Sequence, residues 1–144
     1  MRKSKLVFDP LFDFDLIGII SHGKGYRVAW EINQVLGVEL TKSKDQLIRF
    51  NDGSSITVVN YTYTTENGGI YLLKNRGLEN NESGQMLLIP ELQEFDFLLK
   101  IIGADSFDSE EIMDKVRKIQ IFQFCSFIDP ENLKSKENLV FDYE

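Results

Sequence analysis

Ten residues from Ile56 to Thr65, I-T-V-V-N-Y-T-Y-T-T, are almost all β-branched or aromatic. Asn67-Gly68-Gly69 then separates them from a second run, I-Y-L-L-K-N-R. Such side chains fit a pleated surface better than a helix, and Asn-Gly readily takes the positive φ angles of a tight hairpin turn. The two runs therefore predict an antiparallel hairpin, and with it a chain organised around an antiparallel sheet. The faces of the first run conflict. Ile56 and Val58 share one side, while Val59, Tyr61 and Tyr63 share the other, so a bulge or strong twist is expected near Val59.

Two strand-then-helix patterns flank this hairpin. Phe12 to Ile20, F-D-F-D-L-I-G-I-I, alternates and then becomes fully apolar, as a strand entering a core does. The loop S-H-G-K-G comes next, and Tyr26 to Leu36 places Val28, Ile32, Val35 and Leu36 at helical spacing, with Gly37 suited to the position just past the helix end. Phe95 to Ile102 fits both periods: Phe95, Phe97, Leu99 and Ile101 as a strand face, or Phe95, Leu98, Leu99 and Ile102 as a helical stripe. The residues C-terminal to it favour the strand. Asp108 or Ser109 can cap a helix that carries Glu110 and Glu111 in its first turn and Lys115, Arg117 and Lys118 at its end. I-Q-I-F-Q-F-C-S-F-I then reads as a strand stopped by Asp129-Pro130, which makes a strand-helix-strand unit with a right-handed crossover.

The remaining segments are minor. Leu47 to Phe50 and Met86 to Ile89 read as short strands, the first closed by the turn N-D-G-S. Leu78 to Gln85 is polar and reads as a surface loop. Residues 129–144 form an acidic tail in which Leu139 to Phe141 either docks as an edge strand or frays. The expected fold class is α+β: a single domain over 1–144, one mainly antiparallel sheet with two helices, ferredoxin-like or ACT-like in character.

At 144 residues the chain is long enough for a sizeable core. Sixteen Lys and Arg against 23 Asp and Glu give a net charge of -7, which disfavours general nucleic-acid binding. The basic clusters Arg2, Lys3, Lys5 and Lys115, Arg117, Lys118 read as solvated faces. Asp9, Pro10, Asp13 and Asp15 interrupt any signal-peptide core, and no apolar run reaches the length of a membrane span. A single cysteine, Cys125, leaves no internal disulfide, so a cytoplasmic location is the default expectation.

Several constellations could carry chemistry. Gly18 to Gly25, G-I-I-S-H-G-K-G, fits G-x-x-x-x-G-K but has Gly25 where a phosphate-binding loop needs Ser or Thr for magnesium. The weaker reading keeps Gly23, Lys24 and Gly25 as an anion-binding turn at a helix N-terminus. One histidine, His22, and one cysteine do not make a zinc site, and Ser21 beside His22 lacks a nucleophile elbow. Cys125, in an apolar strand, reads as an inert buried thiol. Arg27 and Glu31 can pair across a helical turn, with Trp30 and Asn33 beside them. Trp30 is expected as a core or interface anchor, or else as a ligand-stacking ring with Asn33 as its hydrogen-bonding partner. Glu91 and Asp96, in L-I-P-E-L-Q-E-F-D-F, are five residues apart; they meet in neither a strand nor a helix, and only if Leu92 to Glu94 form a turn. Pro90 suits a strand end, so the stretch reads as a structural corner at which Glu91 ties down backbone amides.

L-I-P-E-L-Q-E-F-D-F-L-L-K-I-I-G resembles the signature of the IPExxVDY family, small proteins of the Bacteroidetes. F-D-L-I-G-I-I-S and Y-R-V-A-W-E-I-N-Q-V-L resemble its N-terminal block, and together the two blocks cover about a third of the chain. Leu92, Gln93 and Glu94 make the spacer one residue longer than the family pattern. Phe95 stands where that pattern has Val, and Phe97 stands where it has Tyr. The resemblance implies a cytoplasmic protein encoded near ribonuclease III and pyruvate kinase, and it implies no activity. The resulting expectation is a non-catalytic binding or regulatory module without a cofactor or metal. It would associate with itself or another protein through an exposed strand edge or an aromatic face. An enzyme using carboxylates and an RNA-associated adaptor are the alternatives.

Overall fold

The structure, a computed structural model, describes residues 13–50, 52–81, 84–103 and 106–140. The basic cluster at Arg2, Lys3 and Lys5 lies outside these residues, as do Phe12, Asn51, Phe141 and the last acidic residues.

Strand β1 (Asp15–Ser21) leads into helix α1 (Gly25–Leu36). Next come β2 (Thr41–Lys42), β3 (Gln46–Arg49), β4 (Ser55–Val58), β5 (Asn60–Thr65) and β6 (Gly68–Lys74). β7 (Arg76–Asn81) and β8 (Gly84–Leu87) precede β9 (Phe97–Ile102), helix α2 (Ser109–Val116) and β10 (Phe122–Ile128). Six strands form one sheet in the order β10-β1-β9-β6-β5-β2, and every neighbouring pair is antiparallel. β3 with β4 and β7 with β8 make two further two-stranded sheets. The α+β class with a mainly antiparallel sheet is thus as expected, with two small sheets added. β9 and β10 both run antiparallel to β1, which lies between them, and α2 connects them.

The central strands are mostly apolar because both of their faces are covered, with Lys100 of β9 a buried exception. Ile17, Ile19, Ile70, Leu72, Phe97, Leu99 and Ile101 pack against α1 and α2, with Val28, Ala29, Ile32, Ile112, Met113 and Val116. Leu16, Tyr71, Leu73 and Leu98 face the other way, into a second core with Ile48, Ile56, Val58, Leu88, Ile89, Phe95, Leu133 and Leu139. Both helix termini obey local sequence rules. Gly37 ends α1 in the left-handed conformation at φ 67°. Asp108 Oδ1 accepts the Glu110 and Glu111 amides at 3.0 and 3.3 Å at the start of α2.

Four expectations are corrected. The run from Ile56 to Thr65 is two strands, not one with a bulge: β4 and β5 belong to different sheets and break at Val59, which resolves the conflict of faces. The β5–β6 hairpin forms, but its turn is Glu66-Asn67, with Thr65 opposite Gly68, and no residue in it has a positive φ. Gly68 is required instead by close approach, because a Cβ there would strike the Ile102 carbonyl. The polar stretch Leu78 to Gln85 lies in the β7–β8 ribbon rather than in a loop, with residues 82 and 83 outside the described residues. In that ribbon Glu79 Oε1 accepts the Thr57 amide at 2.7 Å and so joins it to β4. Finally, Leu139 is neither an edge strand nor frayed; it ends a 3₁₀ turn over Lys136–Leu139 and is fully buried.

Candidate functional site

The Leu88–Phe97 stretch is a corner, and its geometry is set by Pro90. Proline fixes φ and has no N–H to satisfy, so it begins the 3₁₀ turn Pro90–Leu92 while Ile89 before it stays extended. The turn closes through Leu92 N to Ile89 O at 3.0 Å and Phe95 N to Leu92 O at 2.9 Å. Three of its backbone groups converge on the side chain of Asn75, a fully buried residue between β6 and β7. Asn75 Nδ2 donates to the Leu92 and Phe95 carbonyls, both at 3.0 Å, and Oδ1 accepts the Ile89 amide at 2.8 Å. The Asn75 backbone adds a bond to Asp96 O at 3.0 Å and one from Leu88 N at 2.7 Å. One side chain therefore holds both ends of the turn.

Glu91 and Asp96 are tied to different segments. Glu91 accepts the Ser135 amide at 2.7 Å and its hydroxyl at 2.9 Å, which fastens the C-terminal stretch to the corner. Partial burial opposes ionisation of Glu91, but hydrogen bonds from the Ser135 amide, its own amide, the Ser135 hydroxyl and the Lys134 amide together outweigh it, so the carboxyl is held below its ordinary range. Asp96 Oδ2 accepts the Ser21 amide at 2.9 Å at the end of β1, and Oδ1 lies 3.7 Å from Arg76 Nε. Through these contacts Glu91 fastens the C-terminal stretch and Asp96 the end of β1.

The β1–α1 loop is organised by Ser21, which is 2% exposed. Its hydroxyl donates to Ile121 O at 2.7 Å and accepts the Gly23 amide at 3.1 Å, so it does not turn to the exposed His22. Of the three anion-binding candidates, Gly23 has thus committed its amide within the loop. Lys24 is the N-cap of α1, and its carbonyl takes the Arg27 and Val28 amides at 3.0 and 2.9 Å. Gly25 packs against the Tyr61 ring.

On α1 the candidates separate by role. Asn33 bonds the Leu40 backbone in both directions, Nδ2 to O at 3.2 Å and N to Oδ1 at 2.8 Å, so it closes the connection towards β2. Trp30 is 53% exposed and Tyr26 67%, which removes Trp30 from the core. The two rings are four residues apart on the outer face of the helix. Arg27 stacks over the Trp30 ring at 5.5 Å and pairs with Glu31 at 2.8 Å, the pairing its spacing predicts. Tyr26, Arg27 and Trp30 form an exposed cluster on a helix anchored by Val28, Ala29 and Ile32.

Two further groups stand out. Lys100, 3% exposed in β9, donates to Leu139 O at 2.6 Å and lies 4.7 Å from the Phe14 ring centroid and 5.8 Å from that of Tyr71. Burial lowers its pKa to about 8. Cys125 is half-buried, and burial pushes its thiol up to about 11 against a weaker opposing pull from Arg117. At neutral pH it is a thiol and not a nucleophile. Among the described residues no group of three or more His, Cys, Asp or Glu is placed to hold a metal ion, and no helix is long and apolar enough to cross a membrane. In comparisons with protein-family models and with curated proteins, the chain matches none.

Proposed function

We propose that this chain is a non-catalytic binding module of the cytoplasm that engages a protein partner through the outer face of α1. The observation that carries the reading is the Tyr26–Arg27–Trp30 cluster. Trp, Tyr and Arg are the side chains that dominate binding energy at protein interfaces. Here Arg27 is already held by Glu31 and stacked on Trp30, so little order is lost on binding. Ferredoxin-like character at the centre of the sheet is part of the same proposal. It is supported by the order β10-β1-β9-β6, in which α1 lies in the connection from β1 to β6 and α2 in that from β9 to β10, each crossing one intervening strand. Membership of the IPExxVDY family is likewise proposed, supported by the corner that the I-P-E residues build around Asn75. The carboxylate-enzyme reading gains nothing from Glu91 and Asp96, which are engaged by Ser135 and Ser21. The RNA-adaptor reading meets a net charge of -7.

The test is affinity capture from the source cells with the immobilised full chain beside its Trp30→Ala and Tyr26→Ala variants. The proposal expects one defined protein to be retained by the unaltered chain and lost from both variants. Equal retention by all three chains counts against it, as does retention of nothing.

A further inference from the structure

We propose that the protein pairs with a second copy of itself, edge to edge and antiparallel, through β10. This surface is separate from the outer face of α1, and the inference does not depend on the function proposed there.

β10 is an outer strand of the six-stranded sheet, and among the described residues only β1 pairs with it. An outer strand presents a row of backbone donors and acceptors to any chain that can align with it. Proteins ordinarily blunt such edges with charge, proline or brevity. The opposite edge is blunted in this way: β2 has two residues, one of them Lys42, which is paired with Asp45 at 2.6 Å. β10 has none of these three; its one irregularity is a register shift at Gln123, and Phe124 to Ile128 keep regular register with β1. Its seven residues, F-Q-F-C-S-F-I, contain no charge and no proline.

The side chains on this edge are those of an interface. Phe124 and Phe127 are 53% and 41% exposed. They lie on opposite faces of the sheet, Phe124 across from Ile20 and Phe127 across from Ile17. Phe124 is held in place by stacking on Phe95, with ring centroids 6.3 Å apart. A strand added to this edge would therefore meet one aromatic ring above the sheet and one below it.

The flanking charges select a second copy as the occupant. The exposed Arg117 and Lys118 precede β10, and the exposed Asp129 comes after it. Antiparallel pairing across a two-fold axis sets the basic end of each strand beside the acidic end of the other. A parallel approach would place like charges together. The pairing is isologous and closed, so it gives a dimer with a continuous sheet of twelve strands, twice the six of one chain.

Sedimentation equilibrium of the full chain from about 1 to about 100 µM tests this. The expected result is a reversible monomer–dimer equilibrium. Phe127→Lys should leave monomer only, with an unchanged circular dichroism spectrum and the melting midpoint that the unaltered chain shows when dilute enough to be monomeric. Gln123→Lys, on an exposed neighbour in the same strand, carries the same prediction should the first variant fold poorly. Replacing Arg117 and Lys118 together by Glu should weaken the dimer about tenfold at low salt and much less at high salt. Trp30→Ala should leave the dimer intact. A chain monomeric at every concentration overturns the proposal, as does a dimer that survives both lysine variants or one that Trp30→Ala dissolves. Open-ended polymers, or a strand from another protein seated on β10 of a monomeric chain, overturn it as well.

Discussion

Asn75 and Ile89 are 14 residues apart in the chain and joined inside the protein, where Asn75 Oδ1 accepts the Ile89 amide at 2.8 Å. The same carboxamide donates to Leu92 O and Phe95 O, so the I-P-E corner is built on a side chain outside it. A buried donor or acceptor without a partner costs about 1–3 kcal/mol. Truncating Asn75 orphans the Ile89 amide and the Phe95 carbonyl, and it leaves Leu92 O with only its bond from Phe95 N. Asn75→Ala should lower unfolding stability by about 3–5 kcal/mol, at the severe end for a single substitution. Asn75→Asp keeps the acceptor but loses both donated bonds and buries a charge, so it should do no better than alanine. Urea unfolding of the three proteins measures this, and a loss below about 1 kcal/mol would show that the corner holds itself.

Lys100 gives an alkaline signature. The folded protein lowers its pKa from 10.5 to about 8, because burial disfavours the charged form more than the Leu139 carbonyl and the aromatic rings favour it. Between those two values the unfolded chain binds the extra proton and the folded chain does not. Stability attributable to this residue should therefore rise with pH from about 8 to about 10.5 and be flat below 8. A depression of this size corresponds to about 3 kcal/mol across the window. The measurement is the difference in unfolding free energy between the unaltered protein and Lys100→Met as a function of pH. A difference that does not change through that window would rule out the neutral buried amine.

Trp30 should behave in the opposite way to Asn75. Its ring is half exposed on the outside of α1, and its removal leaves the packed face of Val28, Ala29 and Ile32 untouched. Trp30→Ala is expected to change stability by no more than about 0.5 kcal/mol. Thermal unfolding checks this directly. A large loss would mean that the ring supports the fold, and the partner-binding test on α1 would then need a milder variant.

The features legible in the sequence are those that local rules decide. Gly37 past a helical run, Asp108 before acidic residues and the β-branched runs around Glu66-Asn67 each carry their structural reason within a few positions. Asn75 does not. Between Lys74 and Arg76 it reads as a polar strand end, and its burial is set by a corner that arrives later in the chain. Lys100 misleads for the same reason: an alternating strand assigns it to solvent, whereas the second core and the Leu139 turn cover that face. The polar β7–β8 ribbon has no alternation to show, and Glu79 fixes it to Thr57 through a bond no spacing rule anticipates. Among the site residues, the corner role of Pro90 and Glu91 was legible from strand-end chemistry. The division between the structural bonds of the half-buried Asn33 and the exposure of Trp30 on one helix was not.

Glu91 should make the C-terminal stretch sensitive to acid. Its carboxyl is held below its ordinary value of 4.5 in the folded protein, since partial burial is outweighed by hydrogen bonds from the Ser135 amide, its own amide, the Ser135 hydroxyl and the Lys134 amide. A depressed carboxyl contributes stability that is fully present above 4.5 and is lost as the pH falls through the lower, folded value. Because Glu91 is largely exposed, the loss should appear as local release rather than global unfolding. Asn138 Nδ2 to Leu88 O at 2.9 Å and Lys100 Nζ to Leu139 O at 2.6 Å remain as the neighbouring fasteners. Hydrogen exchange of residues 133–140 should therefore accelerate below pH 4.5, relative to the intrinsic rates, while β1 and β9 stay protected. Glu91→Gln should show the faster exchange already at neutral pH and lose its dependence on acid. If the variant exchanges like the unaltered protein at neutral pH, Leu133 and Leu139 hold the segment by burial alone and Glu91 is only an adjunct.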